Sequence, residues 1–142
     1  MIKKLLCLSL ILFYTFGYAQ NSSEGNEDCI RNFEIIATSV NGSNPRVDDI
    51  RISWNFSNDT EVDNLKLILK VQPLNACWDG LSGIDRSELR SYSFNDLSEA
   101  TNNHALLEFR NIDSKCIKWK VIIIDAANNC ETKTEWQFKS FI

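Results

Sequence analysis

Histidine is nearly missing from this chain: His104 is the only one in 142 residues. It stands in the polar approach Asn102-Asn103-His104 to a β-patterned run, and no spacing marks a partner for it. No serine lies in a Gly-x-Ser-x-Gly elbow. Beyond the amino-terminal segment there are four cysteines, Cys29, Cys77, Cys116 and Cys130. None of them forms a closely spaced pair, about two residues apart, of the kind that structural zinc favours. Acids are plentiful, but paired carboxylates for glycoside chemistry need a cleft, which a sequence cannot place. These gaps remove the familiar constellations, so no catalytic residue and no cofactor is expected. A small hydrolase would have to assemble its site entirely in three dimensions.

Long apolar runs are missing too, with one exception at the start. Lys3 and Lys4 precede an apolar stretch from Leu5 to Phe16, followed by Gly17-Tyr18-Ala19. A charged start, a short apolar core and small residues at −3 and −1 describe a secretory signal peptide over 1–19, cut before Gln20. The stretch is shorter than the roughly 20 residues a span requires. Gln20, rather than a cysteine, follows the cut, which argues against a lipid anchor. Residues 20–28 are polar and read as a flexible lead-in, leaving 29–142 as one domain. The expected location is secreted, at the cell surface or in the periplasm, with no membrane span after cleavage. The whole chain carries a net charge of −4. Losing Lys3 and Lys4 with an acid-free signal makes this −6, which is no footprint for nucleic acid.

What is abundant is alternation with period two, the mark of a strand with one dry and one wet face. Ile50, Ile52, Trp54 and Phe56 alternate with polar neighbours, as do Leu65, Leu67, Leu69 and Val71. Tyr92 with Phe94, Ala105 with Leu107 and Phe109, and Ile117, Trp119, Val121 and Ile123 continue the pattern. Trp136 and Phe138 close it, with Trp54, Trp119 and Trp136 all at core parity. The first run, from about Ile30 to Val40, is irregular: Phe33 and Ile35 share one face, Ile36, Thr38 and Val40 the other, and a bulge or a switch of pairing partner would explain this. No segment carries a helical stripe, and 96–102 allows one turn at most. Seven short strands separated by turn-rich stretches imply an all-β, seven-stranded antiparallel β-sandwich.

The segment from Ile117 to Asn129, Ile-Lys-Trp-Lys-Val-Ile-Ile-Ile-Asp-Ala-Ala-Asn-Asn, resembles the sixth strand and following turn of a fibronectin type III domain. Trp54 falls at that family's buried second-strand tryptophan, and Ile112 at a core leucine before the sixth strand. The similarity spans roughly 33–138 and is also immunoglobulin-like. Ile117 replaces the usual tyrosine and Asn128 the usual turn glycine, a tolerable exchange because Asn accepts left-handed geometry. The family implies binding, spacing or adhesion rather than chemistry. Four cysteines allow three pairings. A sandwich of this kind places the start of the first strand near the turn after the sixth, and the end of the third near the start of the sixth. The resemblance therefore implies Cys29–Cys130 and Cys77–Cys116, two disulfides, with Cys116 on the opposite face from Ile117 and its bridge outside the core.

Two loops carry functional hypotheses. Asp59, Glu61 and Asp63 alternate as a weak calcium candidate, since calcium takes about six to eight oxygens. The stretch from Ala76 to Ser87 is long for a compact domain, and such loops are often functional. Within it Trp78 and Asp79 are the candidate binding residues, Trp78 beside an expected bridge, where it could equally pack over the disulfide. The sequence thus points to an exported, non-catalytic binding or adhesion module that recognises an unidentified protein or glycan through loops or a sheet edge. The alternative is a periplasmic inhibitor or immunity-type protein that blocks one protein partner.

Overall fold

The computed structural model describes residues 33–56, 62–97 and 103–142. The signal segment, the lead-in and Cys29 lie outside these residues. Eight strands form two antiparallel sheets, as expected for an all-β sandwich. One sheet has three strands in the order β1 (Phe33–Asn41), β2 (Asp48–Phe56) and β5 (His104–Leu107). The other runs β4 (Arg90–Phe94), β3 (Leu65–Pro73), β6 (Cys116–Asp125) and β7 (Cys130–Lys133), and β8 (Gln137–Ser140) also pairs with β6.

Each alternating run buries one face, as period two demands. Ile50, Ile52 and Trp54 of β2 meet Leu65, Leu67, Leu69 and Val71 of β3 and Ile117, Trp119, Val121 and Ile123 of β6 in one core. Residues this deeply buried contribute about 1.5–3 kcal/mol each. The Trp54 and Phe94 rings, 4.8 Å apart, join β2 to β4 across the two sheets. Ile112 is buried where the sequence reading puts a core residue. The indole Nε1 of Trp119 is buried without a hydrogen-bond partner among the described residues, so its ring is held by packing alone.

Four expectations change. The first strand has no bulge: β1 pairs with β2 residue for residue from Phe33–Phe56 to Asn41–Asp48. Ile36 and Val40 simply lie on the outer face, with Ile36 about half exposed. Phe109 does not continue β5. The carboxylate of Asp49 accepts a bond from its backbone N–H at 2.9 Å, and Phe109–Ile112 forms one helical turn, α1. The Phe109 ring instead packs edge-on against Phe141, with centroids 5.6 Å apart.

The final strand is split, which raises the count from seven to eight. Ile122 faces Lys133 on β7, whereas Lys118 faces Phe138 on β8. Four residues along β6 thus correspond to five on its partner. A one-residue slip moves every later side chain to the other face. Thr134 bridges the break, donating its N–H to the Val121 carbonyl and accepting the Val121 N–H on Oγ1, each at 2.9 Å. Trp136 and Phe138 therefore leave the core, and the Trp136 ring lies beneath the ammonium groups of Lys118 and Lys120 on the outer face. Phe141 fills the core position, fully buried.

The turn after β6 carries the fourth correction. Asp125 accepts the N–H groups of Ala127 and Asn128 on Oδ1 and the Asn128 amide on Oδ2. The left-handed residue is Asn129, with φ 50°, not Asn128.

Candidate binding surface

At the opposite pole β3 runs out at Pro73, and the chain needs 16 residues, 74–89, to return at Arg90. Leu74 extends the sheet by one step, donating to the Cys116 carbonyl and pairing with Asp85. Cys77 then bonds to Cys116, the opening residue of β6, with Cα atoms 5.7 Å apart. Cys116 has the outer-face parity of Lys118 and Lys120, so the bridge sits outside the main core cluster, as expected. Cys116 is nonetheless buried, and Cys77 partly so.

Main-chain bonds close the loop on itself. Asn75 donates to the Ile84 carbonyl and Arg86 to the Pro73 carbonyl, each at 2.9 Å. A short 3-10 turn over Gly80–Ser82 lies between them. Gly80 supplies a φ of 54°, a left-handed position that favours glycine. At Gly83 an added Cβ would meet the carbonyl oxygens of Gly80 and Ala76 at 3.2 and 3.3 Å. The buried Gln72 amide donates to the Ser87 carbonyl at 2.6 Å, and Asp85 pairs with Lys118 at 2.9 Å. The loop is therefore a built element, pinned to β3 and β6.

Apart from Leu74, which is buried, its large apolar side chains take no part in that construction. Trp78 is 88% exposed, Ile84 72%, Leu81 48% and Leu89 47%. The ring does not pack over the disulfide. Asp79 is also exposed, and its carbonyl, not its carboxylate, accepts bonds from Ser82. Trp78 and Asp79 were legible as candidates from the loop's length. Leu81 and Ile84 were not singled out, because in this glycine-containing stretch they show no alternation that separates exposed from buried.

Beside the loop, Asn75, Arg86, Ser87, Arg90, Ile112 and Asp113 line a shallow cleft. Arg86 is paired with Asp113 at 3.3 Å, and Arg90 donates to the carbonyls of Asn111 and Ile112. Its two cations are thus largely spent on closing the cleft wall.

The remaining candidates stand apart. Asp59 and Glu61 lie outside the described residues, and Asp63 is exposed in a 3-10 turn. Among the described residues no three His, Cys, Asp or Glu side chains are grouped to hold a metal. His104 is half-buried at the start of β5, with Nδ1 2.8 Å from the Asn103 amide oxygen. Cys130, opening β7, is disulfide-bonded, and Cys29, its expected partner, lies outside the described residues. No described helix is long and apolar enough to cross a membrane. Compared with protein-family models, curated proteins and solved structures, the chain matches none.

Proposed function

We propose that this domain is an exported, non-catalytic binding module that docks a protein partner on the 74–89 loop. The observation that carries the reading is the pairing of a stapled, tightly bonded loop with four exposed apolar side chains, Trp78, Leu81, Ile84 and Leu89. Leaving such groups in water is unfavourable for the free domain. A preordered loop gives affinity back by lowering the entropy lost on association. Tryptophan is among the residue types enriched at the energetic centre of protein interfaces. A sugar ring stacks on an aromatic face but gains little from Leu81 and Ile84, so the set favours a protein over a glycan.

Two observations support the wider setting. A disulfide persists in oxidising compartments, in keeping with the signal segment at 1–19. The strand order supports a fibronectin type III-like or immunoglobulin-like grouping. Constant-type immunoglobulin sandwiches set the fourth strand beside the fifth, whereas here β4 joins the edge of β3, leaving β1, β2 and β5 as the smaller sheet.

The test is capture of partners from the source cells with the mature domain and with its Trp78→Ala variant. The expected result is a partner retained by the first and lost by the second at equal thermal stability. Equal recovery by both baits would overturn the loop as the docking surface.

A further inference from the structure

The five-stranded sheet turns a distinctive face to solvent. In an antiparallel sheet, residues directly opposite each other project from the same side. The register Lys66–Ile124, Ile68–Ile122, Lys70–Lys120 and Gln72–Lys118 therefore places four lysines of β3 and β6 on one surface. Lys133 joins them opposite Ile122, and Ser91 and Ser93 extend the surface along β4. In a chain of net charge −4, five lysines share one sheet face. Asp85 and Glu131 pair with Lys118 and Lys133. Lys66, Lys70 and Lys120 have no carboxylate partner among the described residues.

Lys70 and Lys120 stand directly opposite one another, an arrangement that destabilises a sheet. Nothing in the fold requires it, since a serine or threonine would satisfy the same strand positions. Departures from local rules of this kind concentrate at functional sites. The ammonium of Lys120 is held 4.8 Å from the Trp136 ring centroid, and that of Lys70 donates to Ser91 Oγ at 2.8 Å. The two charges are thus positioned rather than left to spread into solvent.

We infer that this face binds a linear acidic polysaccharide, its lysines pairing with carboxylate or sulfate groups spaced one per sugar. Strand geometry spaces the cations by about 4.8 Å across the sheet from Lys70 to Lys120, by roughly 6.6 Å from Lys118 to Lys120 and by roughly 13 Å from Lys66 to Lys70. A duplex nucleic acid carries a charge about every 1.7 Å, too dense for three unbalanced cations on an acidic domain. Between the lysines, the half-buried Ile68, Ile122 and Ile124 offer apolar contact to sugar ring faces, and Ser91 and Ser93 offer hydroxyl partners. The large apolar groups of this face, Trp136 and Phe138, are each partly buried, and the Trp136 ring is covered by the Lys118 and Lys120 ammonium groups, so neither is free to insert into a bilayer.

The experiment measures binding of the protein to polygalacturonate and to dextran sulfate at low ionic strength. Uncharged dextran, duplex DNA and anionic lipid vesicles serve as competitors of other classes. The expected result is saturable binding to one or both acidic polysaccharides, weakening as salt rises. Selectivity between the two identifies carboxylate or sulfate as the recognised group. Lys70→Glu places an acid opposite Lys120, so the fold is retained or strengthened while affinity drops by at least about tenfold, or about 1.4 kcal/mol. Arg51→Glu, on the outer face of the other sheet, and Trp78→Ala, on the loop, leave affinity unchanged, so this site and the protein-docking loop stand or fall separately. Failure to bind either acidic polysaccharide, binding that survives Lys70→Glu, or equal affinity for DNA or vesicles would each overturn the inference.

Discussion

At one end of β6 the chain turns through 126–129, and at the other it is crossed by the 74–89 loop. The first turn is held by its own side chains. Asp125 accepts three bonds, Asn129 takes the left-handed position, and the exposed residues between them are small or polar. The loop at the other pole is held mainly by a disulfide and by main-chain bonds, with Asp85 paired to Lys118, and four of its apolar side chains, Trp78, Leu81, Ile84 and Leu89, are exposed. Where polar side chains close a turn, they are consumed in doing so. Where backbone and a covalent bridge close it, the side chains are released for another purpose. This difference is what supports the proposal of a docking surface at the stapled pole.

The contrast can be attacked from the covalent side first. Replacing Cys77 and Cys116 together by alanine should cost about 2–5 kcal/mol in chemical denaturation. Limited proteolysis should then cut first within 74–89 rather than at 126–129. A loop that stays resistant would mean that the main-chain bonds suffice and that the staple serves stability alone.

At the opposite pole the expected loss is smaller. Asp125→Ala removes a buried acceptor of three bonds and should destabilise by about 1–3 kcal/mol, with the 74–89 loop as protected from protease as before. A change in protection at the loop would show the two poles to be coupled. Trp78→Ala comes next, at under about 0.5 kcal/mol in stability, because the ring leaves almost no contact behind. Its effect belongs in partner recovery. The smallest shift is Asn129→Gly, within a few tenths of a kcal/mol by thermal melting: relief of a positive φ offsets the entropy that glycine brings to the unfolded chain.

The strands were legible in the sequence because alternation is a local property. Ile50, Ile52 and Trp54 face one way whatever they pair with, and so do Leu65 to Val71. The final strand was not legible for the same reason. From Lys133 onward the parity of Trp136 depends on one extra residue before β8, and nothing local marks it. Phe109 was misplaced because the acceptor that turns it into a helix, Asp49, lies 60 residues away. The irregularity of β1 needed no bulge, since Ile36 and Val40 occupy an outer face that a sequence reading takes for polar. At the site, the length of the loop and its tryptophan were visible, but the exposure of Leu81 and Ile84 was not.

The lysines make the same point on a larger scale. Lys66 and Lys70, like Lys118 and Lys120, each lie on the polar side of their own run, and the charge total of the chain is negative. Only the register of β3 against β6 brings Lys70 and Lys120 face to face. The sequence by itself determined which side of each strand is dry, and hence that two β layers must close on one another, because hydrophobic burial acts on each residue where it stands. The tertiary structure alone decided which wet sides became neighbours and which apolar groups were left in water. Those outcomes depend on contacts between residues tens of positions apart, which no local pattern encodes.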